Sequence, residues 1–261
     1  MQIINHPGQY WNLSTSYNKG DKNSPEWHAE NFITYNSLIG LEVYNQGNRR
    51  PNDRILWDQI LNLTTPQGIN VYGYSGDDSH NTEQLFRNYN FMLMPELSID
   101  ALKTAMREGS HYFCYEYAGS GEAKAPRITD INVDEIKQII TIDTDADEIY
   151  WISATDISDH NLPNTRKSTI IAVGKEFNYS GFQGNYVRAL IVNEFGETCT
   201  QPIIFKEKKN NTIETIELDL EIVIYPNPAT DVVNIKSNAD IKTIAVYDML
   251  GRCVKYDDTQ C

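Results

Sequence analysis

The chain has 261 residues, enough for two ordinary domains, and its 40% hydrophobic and 11% aromatic content is enough to build real cores. A formal net charge of -14 spread along the chain argues against a nucleic-acid backbone as partner and gives no support for docking on anionic lipid. No apolar run approaches a membrane span and no basic-apolar-small signal peptide follows Met1. The four cysteines, Cys114, Cys199, Cys253 and Cys261, show neither C-x-x-C spacing nor a dense framework, so they read as mostly unpaired.

In chain order, Gln2-Ile3-Ile4 is a short apolar run that reads as a buried strand, and Asn5-His6-Pro7-Gly8 stops it. A helical segment over 28–38 leads to a second strand over 40–45. A helix over 52–63 follows, with Ile55, Leu56, Gln59, Ile60 and Leu63 on its apolar face and Asn52 as N-cap. The third strand runs straight into Gly76-Asp77-Asp78-Ser79-His80. Strand and helix alternate at spacings that demand parallel pairing, so the strand ends converge on one face. His6 and His80 both stand at strand C-terminal ends, where α/β folds build their sites. Asp78 and His80 together offer a carboxylate oxygen and an imidazole nitrogen, a pairing suited to Zn, Mn or Fe. In a turn, the same pair also serves as a solvated loop with an Asx-type hydrogen bond.

The ordered run INHPG, GLEVYN, ILWDQILN, YGYSGDDSH and REGSHYF resembles the C-terminal half of a PHP domain, over residues 1 to about 120. That superfamily, of polymerase and histidinol phosphatase type, consists of metal-dependent phosphoesterases. The resemblance implies part of a distorted (β/α)7 barrel carrying divalent metal ions, with His6, Asp78 and His80 as ligands and a phosphorylated small molecule as substrate. Arg49 and Arg50 are candidates to clamp its phosphate, or else form a solvated turn before Pro51. The family's opening His-x-His motif and its earlier acidic and histidine ligands have no counterpart here, so a fragment is expected. The other histidines read differently: His28 as a surface residue at a helix start, His111 as packing, and His160 as part of a polar loop.

Beyond this point, residues 83–90 look helical and 91–94 form a short strand. Ser98 caps a helix over 99–107 whose stripe is Ile99, Leu102, Ala105 and Met106, and Gly109 closes it. A strand over 111–117 ends the first expected domain, 1–120, and residues 118–126 are a flexible linker. Short alternating strands over 128–133, 138–142, 148–153, 169–173, 185–192 and 202–205 predict an Ig-like β-sandwich over 127–206 with Trp151 in its core. Arg188, inside an alternating strand, reads as a surface or cross-strand ion pair. This stretch resembles the small sandwich that often follows PHP domains in secreted bacterial proteins.

Residues 207–219 form a polar linker. After it, EIVIYPNPATDVVNI and TIAVYDMLGRCVKYD resemble the start of the type A sorting domain of the type IX secretion system of Bacteroidota, over 220–261. The resemblance implies passage to the cell surface or the medium, with the type IX machinery as a partner. The family's domain runs further, so a truncated sorting domain is expected. Two functional readings follow. One is a fragment of an exported phosphoesterase that uses metal-activated water. The other is a non-catalytic cell-surface binding protein with a degenerate PHP scaffold.

Overall fold

The computed structural model describes residues 1–10, 21–119, 121–146, 148–154, 169–205, 222–225, 232–238, 241, 243–247 and 253–258. The chain divides into two compact units, residues 1–207 and 208–261. In the first, β1 (Gln2–Ile4), β2 (Leu38–Asn45) and β3 (Tyr72–Gly76) pair in parallel in the order β1-β2-β3. The intervening helices are α1 (Pro25–Thr34) and α2 (Asn52–Thr64). The Ser24 hydroxyl caps α1 by accepting the Trp27 N–H, and Pro25 occupies the first helical position, where its missing donor costs nothing.

Helix α2 is the centre of this unit. Asp53 through Leu61 are all buried, so the helix has no solvent face over two turns. One side meets Leu41 and Val43 of β2, and the other meets Phe113, Tyr186 and Leu190 of the neighbouring sheet. The Trp57 indole donates to the Val71 carbonyl at 2.8 Å, which satisfies the one polar atom of a fully buried ring.

That neighbouring sheet is antiparallel and runs β4-β5-β12-β11-β8-β9, with β13 also paired to β11. Its strands are β4 (Asn88–Met92), β5 (His111–Glu116), β8 (Glu148–Ile152), β9 (Ile170–Val173), β11 (Tyr186–Val192), β12 (Gly196–Cys199) and β13 (Ile203–Ile204). A smaller sheet in the order β10-β7-β6 covers its outer face, formed by β6 (Ile128–Asp134), β7 (Ile139–Thr144) and β10 (Glu176–Asn178). The second core lies between the two sheets, where Trp151, Val187, Ala189 and Ile191 meet Ile140, Ile142 and Phe177. Every residue of β11 is therefore buried, with alternate side chains feeding the two cores. Helix α3 (Ile99–Glu108) starts as read, with the Ser98 hydroxyl accepting from Ala101 N–H and Gly109 closing it at φ 71°.

The barrel expected from the resemblance is not formed. Among the described residues only three strands are parallel, no barrel closes, and most of the strands pair antiparallel. The physical reason lies on β3. Asn90 accepts Ser75 N–H at 3.0 Å and donates to Ser75 O at 2.6 Å, while Gln201 accepts Gly73 N–H at 2.9 Å and donates to Gly73 O at 2.8 Å. Two side-chain amides thus occupy the backbone groups that a fourth parallel strand would need. Strand β5, read as the end of a barrel, instead pairs with β12, and residues before and after the 118–126 segment share one sheet.

The helix expected over 83–90 is also absent. A 3-10 turn spans Thr82–Gln84, Phe86 lies at φ 70°, and the Asp77 carboxylate accepts the N–H groups of Phe86, Arg87 and Asn88. A carboxylate that gathers three successive backbone donors leaves them unavailable to a helix. Helix α1 ends at Thr34 rather than 38, because Leu38 already belongs to β2.

Arg188 is fully buried rather than on a surface: its Nε and Nη2 each donate to the Asp58 carboxylate at 2.8 Å, and its guanidinium lies 4.9 Å from the Trp57 ring centre. His28 is buried too, not at the surface, with neither ring nitrogen hydrogen-bonded. Cys114 and Cys199 are buried free thiols. His160 and the 207–219 linker lie outside the described residues. In the second unit, β14 (Ile222–Tyr225) pairs antiparallel with β15 (Asn234–Ser237), and β16 (Thr243–Tyr247) with β17 (Cys253–Asp258).

Candidate functional site

Parallel pairing puts the C-terminal ends of β1, β2 and β3 on one rim, and the polar residues gather there. His6 follows β1 in a left-handed conformation, φ 32°, and its N–H donates to the Glu42 carboxylate on β2 at 2.9 Å. The same oxygen accepts the Asn45 amide at 3.1 Å. Burial pushes the Glu42 carboxyl up, the nearby negative charge of Asp78 adds to this, and the His6 and Asn45 donors oppose it. Glu42 therefore lies between His6 and Asp78 electrostatically. Gly76, at the end of β3, makes room for it, since a Cβ there would stand 2.2 Å from Glu42 Oε1.

A second carboxylate holds the His-Pro-Gly turn from the other side. Asp53, in the first turn of α2, accepts the Gly8 N–H through Oδ1, while Oδ2 is buried without a hydrogen-bond partner. Burial drives its pKa up to about 7, against the pull of the Gly8 donor, and the charge of Glu42 adds to the rise. Two buried acids thus fix the backbone on both sides of Pro7. His6 itself keeps Nδ1 buried without a partner, with its ring 6.0 Å from that of Tyr10.

Arg49 and Arg50 share a pocket of about 390 Å³ with Gly8, Gln9, Tyr10, Pro51 and Asn52. The arginines and the segment Gly8-Gln9-Tyr10, distant in sequence, therefore face one another beside the N-terminus of α2. That terminus carries no side-chain cap. Arg49 donates to Gln46 Oε1 at 2.6 Å, and the Arg50 Nε is buried without a partner.

Asp78 and His80 point elsewhere. Both are exposed, and Asp78 sits at φ 45°. The Gln46 amide donates to its carboxylate at 3.3 Å and its carbonyl at 3.2 Å. His80 Nδ1 lies 2.8 Å from the same carbonyl, which fixes the proton on Nδ1, and His80 N–H donates to Gln84 Oε1 at 2.6 Å. The turn is closed on itself as an Asx-like loop. Among the described residues, no three His, Cys, Asp or Glu side chains stand close enough to hold one metal ion. In this conformation His6, Asp78 and His80 share a rim without forming a coordination set, and no chemical step is derived through a metal.

Sequence reasoning missed Glu42 and Asp53. The signals were present as an acid inside an otherwise apolar strand, GLEVYN, and an acid beside the proposed N-cap of α2. It also gave Asp77 no role, whereas Asp77 shapes the loop and Asp78 faces solvent.

Comparison with known proteins finds one family match: residues 223–260 are similar to the secretion system C-terminal sorting domain. No curated protein and no solved structure matches the chain, and nothing in these comparisons supports a PHP domain. No helix among the described residues is long and apolar enough to cross a membrane. The sorting match covers β14 to β17 and marks the chain for the type IX secretion machinery, and with it for secretion or the cell surface.

Proposed function

We propose that the exported chain acts as a metal-dependent phosphoesterase, with phosphate-ester recognition on the rim of the parallel sheet. The observation that carries this reading is the facing of Arg49 and Arg50 with Gly8, Gln9 and Tyr10 across one pocket at the N-terminus of α2. Guanidinium groups and free N–H groups at a helix start are the donors that phosphate oxygens take. His6, Asp78 and His80 are the proposed ligands of a divalent ion, Zn, Mn or Fe; they would have to move together from the positions described above to hold it, and such an ion would then supply a hydroxide nucleophile near neutral pH. A second reading, a non-catalytic surface binding protein, is favoured by the outward turn of Asp78 and His80.

Two measurements separate them. Calorimetry with inorganic phosphate should show binding that weakens at least tenfold in Arg50→Ala, and p-nitrophenyl phosphate hydrolysis with added Mn or Zn should be slow and lost in His80→Ala. Turnover should be slow because each ion needs four to six donors and three are proposed. A chain that neither binds phosphate nor turns over the ester leaves the non-catalytic reading standing.

A further inference from the structure

A second cavity, of about 410 Å³, lies away from the rim, where β6 faces the start of β5 and the segment joining β12 to β13. Its size is that of an ordinary ligand site. Its shape follows from which residues line it. Ile128, Thr129, Asp130 and Ile131 are consecutive in β6, and Val133 continues the wall. Successive side chains of a strand point to opposite faces, so a cavity touching four in a row runs along the strand's edge, where the backbone lies. That edge is open: β6 ends the order β10-β7-β6, and among the described residues no strand pairs with its outer side.

Three features show what fits there. First, an edge strand offers N–H and C=O groups in register for an added strand. Second, apolar side chains are available on both walls: Ile131 is 39% exposed, Val133 44% and, opposite them at the end of β4, Leu93 62%. Third, Asp130 stands directly opposite Asp143 of β7, both exposed, and no ion pair neutralises either among the described residues. Like charges directly opposite destabilise a ladder, and a cation between them removes the repulsion. Of the other ionisable lining groups, His111 is already engaged, its Nε2 lying 3.1 Å from the Gly73 carbonyl and 2.9 Å from the Gln201 amide nitrogen, and Tyr112 is buried and stacked on Phe91.

We infer that β6 is a docking edge for an extended peptide of alternating apolar and basic residues, which adds to the sheet as a fourth strand. Main-chain pairing supplies affinity, Ile131, Val133 and Leu93 receive the apolar side chains, and Asp130 with Asp143 selects for lysine or arginine over glutamate. The inference is independent of the rim.

The test is calorimetry on the full chain with acetyl-Ile-Lys-Ile-Lys-Ile-amide, its glutamate counterpart, and the lysine peptide N-methylated at alternate residues. The expected result is binding of the lysine peptide at least tenfold tighter than either of the others, with the lysine-over-glutamate preference reversed in Asp130→Lys. Asp130→Lys turns the like-charge pair with Asp143 into an opposite-charge one, so that variant should unfold no earlier than the parent, which circular dichroism checks. Equal binding of the methylated peptide would overturn strand addition, and absence of any binding would overturn the site. A dimer abolished by Ile131→Lys, seen by analytical ultracentrifugation, would assign the edge to a second copy of this chain instead.

Discussion

Gln201 grips both backbone groups of Gly73, accepting its N–H at 2.9 Å and donating to its carbonyl at 2.8 Å, across 128 residues of chain. A single side-chain amide here takes the place of a peptide group in a neighbouring strand. Asn90 does the same for Ser75. Replacing Gln201 by Ala leaves two backbone groups of β3 unpaired in a half-buried place, which should cost about 1–3 kcal/mol. Gln201→Glu keeps the acceptor and loses the donor, so it should fall between parent and Ala when urea midpoints are compared at neutral pH.

The Asp58–Arg188 pair should behave asymmetrically. Both partners are buried, and Arg188 also stacks on Trp57. Arg188→Met leaves the Asp58 charge with only the Tyr186 hydroxyl, which donates to it at 2.9 Å, and should destabilise by about 3–5 kcal/mol. The double change, Asp58→Leu with Arg188→Met, should recover most of that loss. A double variant no better than the single would show that the pair contributes more than it costs to bury.

Stability against pH should be flat in the parent between about pH 4 and 7, because two buried groups pull in opposite directions. His28 has its pKa lowered by burial to about 4. The unfolded chain takes up that proton near 6.5 and the folded chain does not, so this contribution to stability is lost as pH falls. Asp53 is raised to about 7, so the folded chain holds a proton that the unfolded chain releases above about 4, and its contribution is lost as pH rises. Each group is worth up to about 3–4 kcal/mol across its window. Burial shifts His111 the same way as His28, and Glu42 the same way as Asp53. In urea titrations at pH 4.5 and 7, Asp53→Asn should become more stable with rising pH and His28→Leu less stable. Slopes of the same sign in the two variants would refute this.

Two glycines should respond differently to alanine. A Cβ at Gly40 would stand 2.1 Å from the Tyr72 carbonyl, a backbone atom of the adjacent strand, whereas one at Gly76 would meet the far end of the Glu42 side chain, which can turn aside. Gly40→Ala should therefore separate β2 from β3 and cost more than about 3 kcal/mol. Gly76→Ala should cost about 1 kcal/mol while releasing the Glu42 carboxylate from His6 N–H. Amide hydrogen exchange at His6 would report that release directly.

Sequence could reveal what is local. Ser98 and Gly109 announce both ends of α3, and the alternation around Trp151 places it in a core. It could not reveal which strands pair. β3 is followed by two more strands with a helix between them, a pattern that suits a parallel sheet, and only the distant amides of Asn90 and Gln201 close that route. β10 and β12 were missed because they are three and four residues long and carry Glu, Asn or Gly in place of an apolar alternation. Arg188 misled for a related reason. A charge at an alternating position signals a solvent face only if the strand has one, and β11 has none. At the rim, the candidate residues were legible as strand-end residues, but the turn that points Asp78 and His80 outward depends on Gln46 and Gln84.

The doubly buried strand β11 also limits how such a protein can be taken apart. A gene cut within the segment 118–126, where composition invites one, would separate α2 from the strand that completes its packing and would leave β4 and β5 without β12. Neither product would have a closed interior, so the two halves of residues 1–207 are not interchangeable parts that could be grafted singly onto other exported proteins. The portable cassette in this chain is the sorting segment at 223–260, in whose described residues β14 pairs with β15 and β16 with β17.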